Sequence, residues 1–123
     1  MSHIVTIETQ VRDPAAVQAA CARLKLPPPA ERTVALFSGS ATGLAVELPG
    51  WKFPLVCDTQ SGELKFDNYE GLWGDRAELD RFLQSYAIEK ARLEARCSGH
   101  TLTEQPLEDG SVRLTIHVGG GSQ

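Results

Sequence analysis

Three cysteines, Cys21, Cys57 and Cys97, and three histidines, His3, His100 and His117, are the residues here best suited to nucleophilic or metal chemistry, and their spacing argues against both. No pair has the C-x2-C or H-x3-H separation that pre-assembles half a zinc site. A site would have to be gathered from afar, for instance from His3 and His117 on strands expected to be neighbours, and the reading is no metal and no cofactor. Cys57 precedes Asp58 near an expected strand end. A cysteine nucleophile needs a cation or base to hold its thiolate, whereas an adjacent carboxylate raises the thiol pKa. Cys21 and Cys97 fall on apolar helical stripes and are expected in the core. Gly39-Ser40-Ala41-Thr42-Gly43 has the glycines and hydroxyls of a phosphate cradle, but no lysine follows and no helix opens after it, so a hairpin turn is expected.

Bulky amphipathic rings gather in one region of expected loops: Trp51, Tyr69 and Trp73, interleaved with Asp58, Asp67, Glu70 and Asp75. Such rings either cap the open edge of a core or form a docking patch, since Trp and Tyr supply large contact area at low entropic cost. Acidic neighbours would favour a basic partner surface. The candidate partner-binding residues are therefore Trp51, Asp67, Tyr69, Glu70 and Trp73. No catalytic residue is assigned.

The elements that must position these groups are marked by their caps. Alternation of Val5, Ile7, Thr9 and Val11 with polar residues predicts a strand from His3 to Val11. Asp13-Pro14 is an N-cap followed by a proline whose missing N–H the first helical turn does not need, and Val17, Ala20, Cys21 and Leu24 mark one helical face. Pro27, Pro28 and Pro29 end that helix. Thr33 to Ser38 and Gly43 to Leu48 are expected as strands around a turn at residues 39–42, and Lys52 to Asp58 and Glu63 to Asn68 as a hairpin over residues 60–62. Asp75, with Glu78 three positions on, opens a long helix with an apolar stripe of Leu79, Phe82, Leu83, Tyr86, Leu93 and Cys97. It stops at Ser98-Gly99. A final hairpin, Thr101 to Leu107 and Ser111 to Val118, closes over Asp109-Gly110.

This order, β-α-β-β-β-β-α-β-β, predicts one α+β domain over residues 1–123, with two helices on one face of a mostly antiparallel sheet. The nearest named architecture is a ferredoxin-like core with an inserted hairpin, and residues 119–123 read as a flexible tail. At 123 residues, 41% hydrophobic and 23% charged, the chain suits a single core. Its net charge of −4 comes with no basic cluster, which argues against nucleic acid. No apolar run approaches the ~20 residues that cross a bilayer, and no charged leader precedes an apolar segment, so the expected location is cytoplasmic, with reduced thiols.

Met1-Ser2-His3, Arg12-Asp13, the run from Tyr86-Ala87 to Gly99, Glu104-Gln105 and Glu108-Asp109-Gly110-Ser111-Val112-Arg113-Leu114 together resemble the hypothetical chloroplast reading frame thirty-five family of cyanobacteria, plastids and other bacteria. The resemblance covers most of the chain, which departs from the plastid members between Pro27 and Asp75. It implies a compact α+β protein and, in bacteria, company with an ATPase of the AAA class; it brings no activity, cofactor or catalytic residue. The reading is an uncharacterised non-catalytic interaction module, an adaptor or accessory subunit with a protein partner, with homo-oligomerisation left open. The alternative is a small enzyme or ligand-binding domain using Cys57, Asp58 and a histidine.

Overall fold

The structure is a computed structural model that describes residues 4–7, 11–37 and 39–118, with backbone alone for residues 4–7 and Glu70. Strand β1, Ile4–Ile7, precedes helix α1, Pro14–Arg23. Four strands follow: β2, Ala30–Leu36; β3, Gly39–Val46; β4, Leu55–Asp58; β5, Glu63–Asp67. A single 3-10 turn, Tyr69–Gly71, leads to helix α2, Arg76–Cys97, and strands β6, Thr101–Pro106, and β7, Val112–His117, complete the chain. The class is α+β: one five-stranded antiparallel sheet in the order β1-β5-β4-β3-β2, and a separate two-stranded sheet β6-β7.

That order corrects the ferredoxin-like expectation. Strands β2 to β5 each pair with their sequence neighbours, and β1 takes the free edge of β5 in antiparallel register, Ile4 opposite Asp67 and Ile7 opposite Leu64. Strands β6 and β7 stay outside because one of their faces is polar, with Thr101, Thr103, Gln105, Arg113 and Thr115 all exposed. Strand β6 packs against α2 instead, with β7 paired to it. The hairpin turn expected at residues 39–42 is also corrected: those residues belong to β3, pairing with Leu36 to Thr33, and the Thr33 and Thr42 hydroxyls meet at 2.8 Å. Residues 8–10 of the expected first strand, and the expected tail at residues 119–123, lie outside the described residues.

The helices open where their caps stand. Asp13 accepts from the backbone N–H groups of Ala15 and Ala16 at 3.0 and 3.4 Å, and Asp75 from that of Ala77 at 2.9 Å. Glu78, expected to reach back to Asp75, turns to Arg81 at 3.3 Å instead. Both helices cover one face of the large sheet. Ala16, Val17, Ala20 and Cys21 of α1 and Leu79, Phe82 and Tyr86 of α2 pack with Val46, Leu55, Cys57, Leu64 and Phe66 in one core. The buried Tyr86 hydroxyl accepts from the backbone N–H groups of Arg12 and Asp13, both at 3.1 Å, tying α2 to the start of α1. Cys97, expected in the core, is exposed; the last turn of α2 buries Ala95. Ser85, Ile88 and Ala95 are buried outside the main stripe, and strand β6 packs against the same helix. Arg23 of α1 and Arg92 of α2 both bind Glu104 of β6, and Arg23 also reaches Glu89 at 3.0 Å.

The opposite face of the sheet carries a smaller cluster: Val34, Leu36, Ala41, Ala45 and Val56, with Phe53 packed against it. Here the β2-β3 hairpin runs past the end of β4, whose residues pair only with Leu44, Ala45 and Val46, and curls over the sheet. Gly43 permits that close approach, since a Cβ there would lie 2.5 Å from the Cys57 carbonyl oxygen. Among the described residues, no helix is long and apolar enough to cross a membrane.

Candidate functional site

Over this second face, three connections converge. The tip of the β2-β3 hairpin brings Phe37, the β3-β4 connection brings Lys52 and Phe53, and the β5-α2 connection brings Tyr69 and Trp73. Trp73 is the hub: its ring centroid lies 4.7 Å from Tyr69, 5.3 Å from Phe37 and 5.6 Å from Phe53. The Lys52 ammonium sits 4.5 Å from the Trp73 centroid and 5.6 Å from that of Phe53, over both faces. Phe37 is 58% exposed and Leu72, between Tyr69 and Trp73, is 75% exposed. A cavity of about 340 Å³ is lined by Arg32, Val34, Glu47, Trp51, Lys52 and Phe53 among others, and Phe53 is the one ring of the cluster in its wall.

The backbone beneath the rings is tightly tied. The Lys52 N–H donates to the Trp73 carbonyl at 2.8 Å, and the Trp73 and Gly71 N–H groups donate to the Asn68 carbonyl at 2.8 and 3.0 Å. The buried Asn68 side chain donates to the Gly74 carbonyl at 3.4 Å. Tyr69 has φ +47°, a left-handed conformation costly for a residue with a bulky Cβ substituent, and the surrounding bonds hold it there.

Of the candidate residues, Tyr69 and Trp73 come together here. Trp51 does not join them. Its ring lies edge-on to Phe66 at 5.4 Å in the main core, and its indole N–H donates to the Asp75 carbonyl at 3.0 Å. It fits there because Gly74 has no side chain; a Cβ would fall 2.4 Å from the ring. The side chain of Glu70 lies outside the described residues. Asp58 belongs elsewhere: its carboxylate accepts from the Gln60 and Ser61 N–H groups at 3.0 and 3.3 Å, and these bonds hold its pKa below the usual value. Phe37, Lys52, Phe53 and Leu72 were not legible as site residues. Phe37 carried a signal: with the turn placed next to it rather than at 39–42, it becomes an aromatic at a hairpin tip.

Asp67 is the anomaly of the site. It is fully buried, and among the described residues neither carboxylate oxygen has a hydrogen-bond partner. Strand alternation fixes its direction. Phe66 belongs to the helix-covered core, so Asp67 lies on the opposite face of the sheet, the one that carries Lys65 and Val56.

The nucleophile reading finds no geometry. Cys57 is fully buried, and burial, with a smaller contribution from Cys21, pushes its thiol up to about 12. His117 stands on β7 with Nε2 3.3 Å from the Thr103 hydroxyl, His100 follows α2, and His3 lies outside the described residues. Among the described residues, no three His, Cys, Asp or Glu side chains gather as metal ligands would. No family model, no curated protein and no solved structure matches the chain.

Proposed function

We propose that the protein is a non-catalytic interaction module of the cytoplasm, an adaptor or accessory subunit that docks through the aromatic cluster on the second face of its sheet. The resemblance of the sequence points to an ATPase of the AAA class as its partner. The observation that carries the reading is the convergence of Tyr69, Phe53 and the exposed Phe37 on Trp73, with the exposed Leu72 next to it in the chain. Rings supply contact area with few rotatable bonds, and a loop already held by its own hydrogen bonds loses little freedom on binding. The enzyme alternative gains no support from a Cys57 that is fully buried with its thiol pushed to about 12.

The immobilised protein should retain a purified AAA-class ATPase, more strongly in one nucleotide state than in the other. Phe37→Ala removes a ring that is mostly in solvent. It should weaken retention at least about tenfold, as loss of an interface anchor does, with little change in thermal stability. Equal retention by variant and parent would overturn the reading.

A further inference from the structure

A cation rests on the hub of the aromatic cluster with no anion to balance it. The Lys52 ammonium lies 4.5 Å from the Trp73 centroid and 5.6 Å from that of Phe53, and among the described residues no carboxylate pairs with it. A second cation lines the same cavity of about 340 Å³ as Lys52. This is Arg32, whose one ion pair, to Glu47, is long at 3.9 Å and leaves most of its guanidinium fork unbonded. Lys52, Arg32 and Glu47 are all exposed, so the wall offers two positive charges against one negative. Of the carboxylates that suggested a basic partner, Asp58 accepts from the backbone of its own turn, Asp75 caps α2, and Asp67 is fully buried.

We propose that the docked partner presents an acidic segment, one of whose carboxylate side chains enters this cavity and pairs with Lys52 and Arg32. The proposal rests on the docking reading and names the chemistry of the partner. The cavity has the size for it: about 340 Å³ is at the low end of the roughly 300–1,000 Å³ of small-molecule pockets and suits one or two side chains. Val34, Leu48, Trp51 and Phe53 in its wall can meet the methylenes of an acidic side chain while the two cations meet its head. Lys52 is already placed by its ring contacts, so its ammonium loses little freedom when a carboxylate arrives. The chain's net charge of −4 does not oppose this, because charges beyond about 8 Å are largely screened at physiological salt and the local pair decides.

The chain has two tryptophans, Trp51 in the cavity wall and Trp73 under Lys52, so their indole N–H signals report on the site. The probe is a capped tetrapeptide with two central glutamates between leucines, which should shift the Trp73 signal saturably. Its glutamine counterpart should bind about fivefold more weakly and its lysine counterpart more weakly still, and added salt should narrow the difference. Lys52→Ala and Arg32→Ala should each weaken the glutamate peptide about threefold, the size of one exposed charge pair, and Lys52→Arg should keep it within about twofold of the parent. Both side chains are exposed, so these variants should keep the parent's thermal midpoint. Lys52→Glu should prefer the lysine peptide. No saturable shift, equal or tighter binding of the glutamine or lysine peptide by the parent, or undiminished binding by a variant carrying both Lys52→Ala and Arg32→Ala would overturn the proposal. So would inorganic phosphate giving the saturable shift that the peptide does not. ATPase retention separates this failure from that of the docking reading. Lys52→Glu retaining the ATPase while Phe37→Ala loses it sinks the acidic seat and leaves the docking face standing, whereas full retention by Phe37→Ala sinks the docking reading itself.

Discussion

The two faces of the five-stranded sheet are built to different standards. On the face covered by α1 and α2, Phe66, Phe82, Leu55, Leu64 and Leu79 are all fully buried, and the Tyr86 hydroxyl accepts two backbone hydrogen bonds. On the other face, a curled hairpin and two loops supply a thin cover of rings, two large apolar side chains stand in water, and a carboxylate is buried with no partner among the described residues. The first is a closed core whose every position serves stability. The second departs from the same rules in several places at once, and such departures cluster where a protein binds something.

The largest effect expected from this contrast belongs to the closed face. Phe82→Ala should cost about 3–5 kcal/mol, the usual range for truncating a fully buried aromatic, and should lower the thermal midpoint accordingly. An unchanged midpoint would mean that the helix does not press this residue into the sheet. A smaller loss, about 1 kcal/mol, is expected for Asp13→Ala, which removes the cap of α1.

The same residue gives the closed face its pH dependence. Desolvation raises the Asp13 pKa, but the Lys90 ammonium at 3.1 Å and the capped N–H groups outweigh it, so the folded-state value lies below the ordinary 3.8. A lowered carboxylate pKa contributes stability that is present above about pH 4 and is lost as pH falls through the folded value. Stability should decline on acidification, and less steeply in Asp13→Ala. An equal slope in parent and variant would remove Asp13 from the acid response. The smallest effect is chemical: a thiol reagent at neutral pH should modify exposed Cys97 at an ordinary rate and leave Cys21 and Cys57 untouched until the protein unfolds, with no change in stability beforehand. Rapid labelling of Cys57 would reopen the nucleophile reading.

How much of each face was legible follows from how local its determinants are. Caps at Asp13 and Asp75, the proline stop after α1, the apolar stripe of α2 and the Asp109-Gly110 turn are all signals within a few residues, and the order of elements is read from them. The closed face follows, because helical and strand periodicity name its residues directly. The second face depends on a hairpin that curls, and no periodicity reports curvature. Gly39 to Thr42 look like a turn by composition and are a strand because Val34 and Leu36 pair across from Ala41 and Gly39. Once the tip moves to Phe37, rings separated by up to 36 positions in the chain meet on Trp73, a contact that local sequence signals do not encode. Asp67 is similarly silent: an aspartate at a strand end ordinarily lies in water, and only the folded structure shows that this one is buried.

Whether the second face is a docking surface is tested most directly on Trp73, the ring every other member of the cluster touches. Thermal stability and retention of the AAA-class ATPase should be measured side by side on Trp73→Ala. A docking hub should lose roughly 2 kcal/mol or more of binding, a drop of some thirtyfold in affinity, while the closed core keeps the melting transition cooperative and near its parent value. A collapsed melting transition with undiminished retention by the folded fraction would show instead that the ring is part of the core's cover, and would contradict the assignment of this face to a partner.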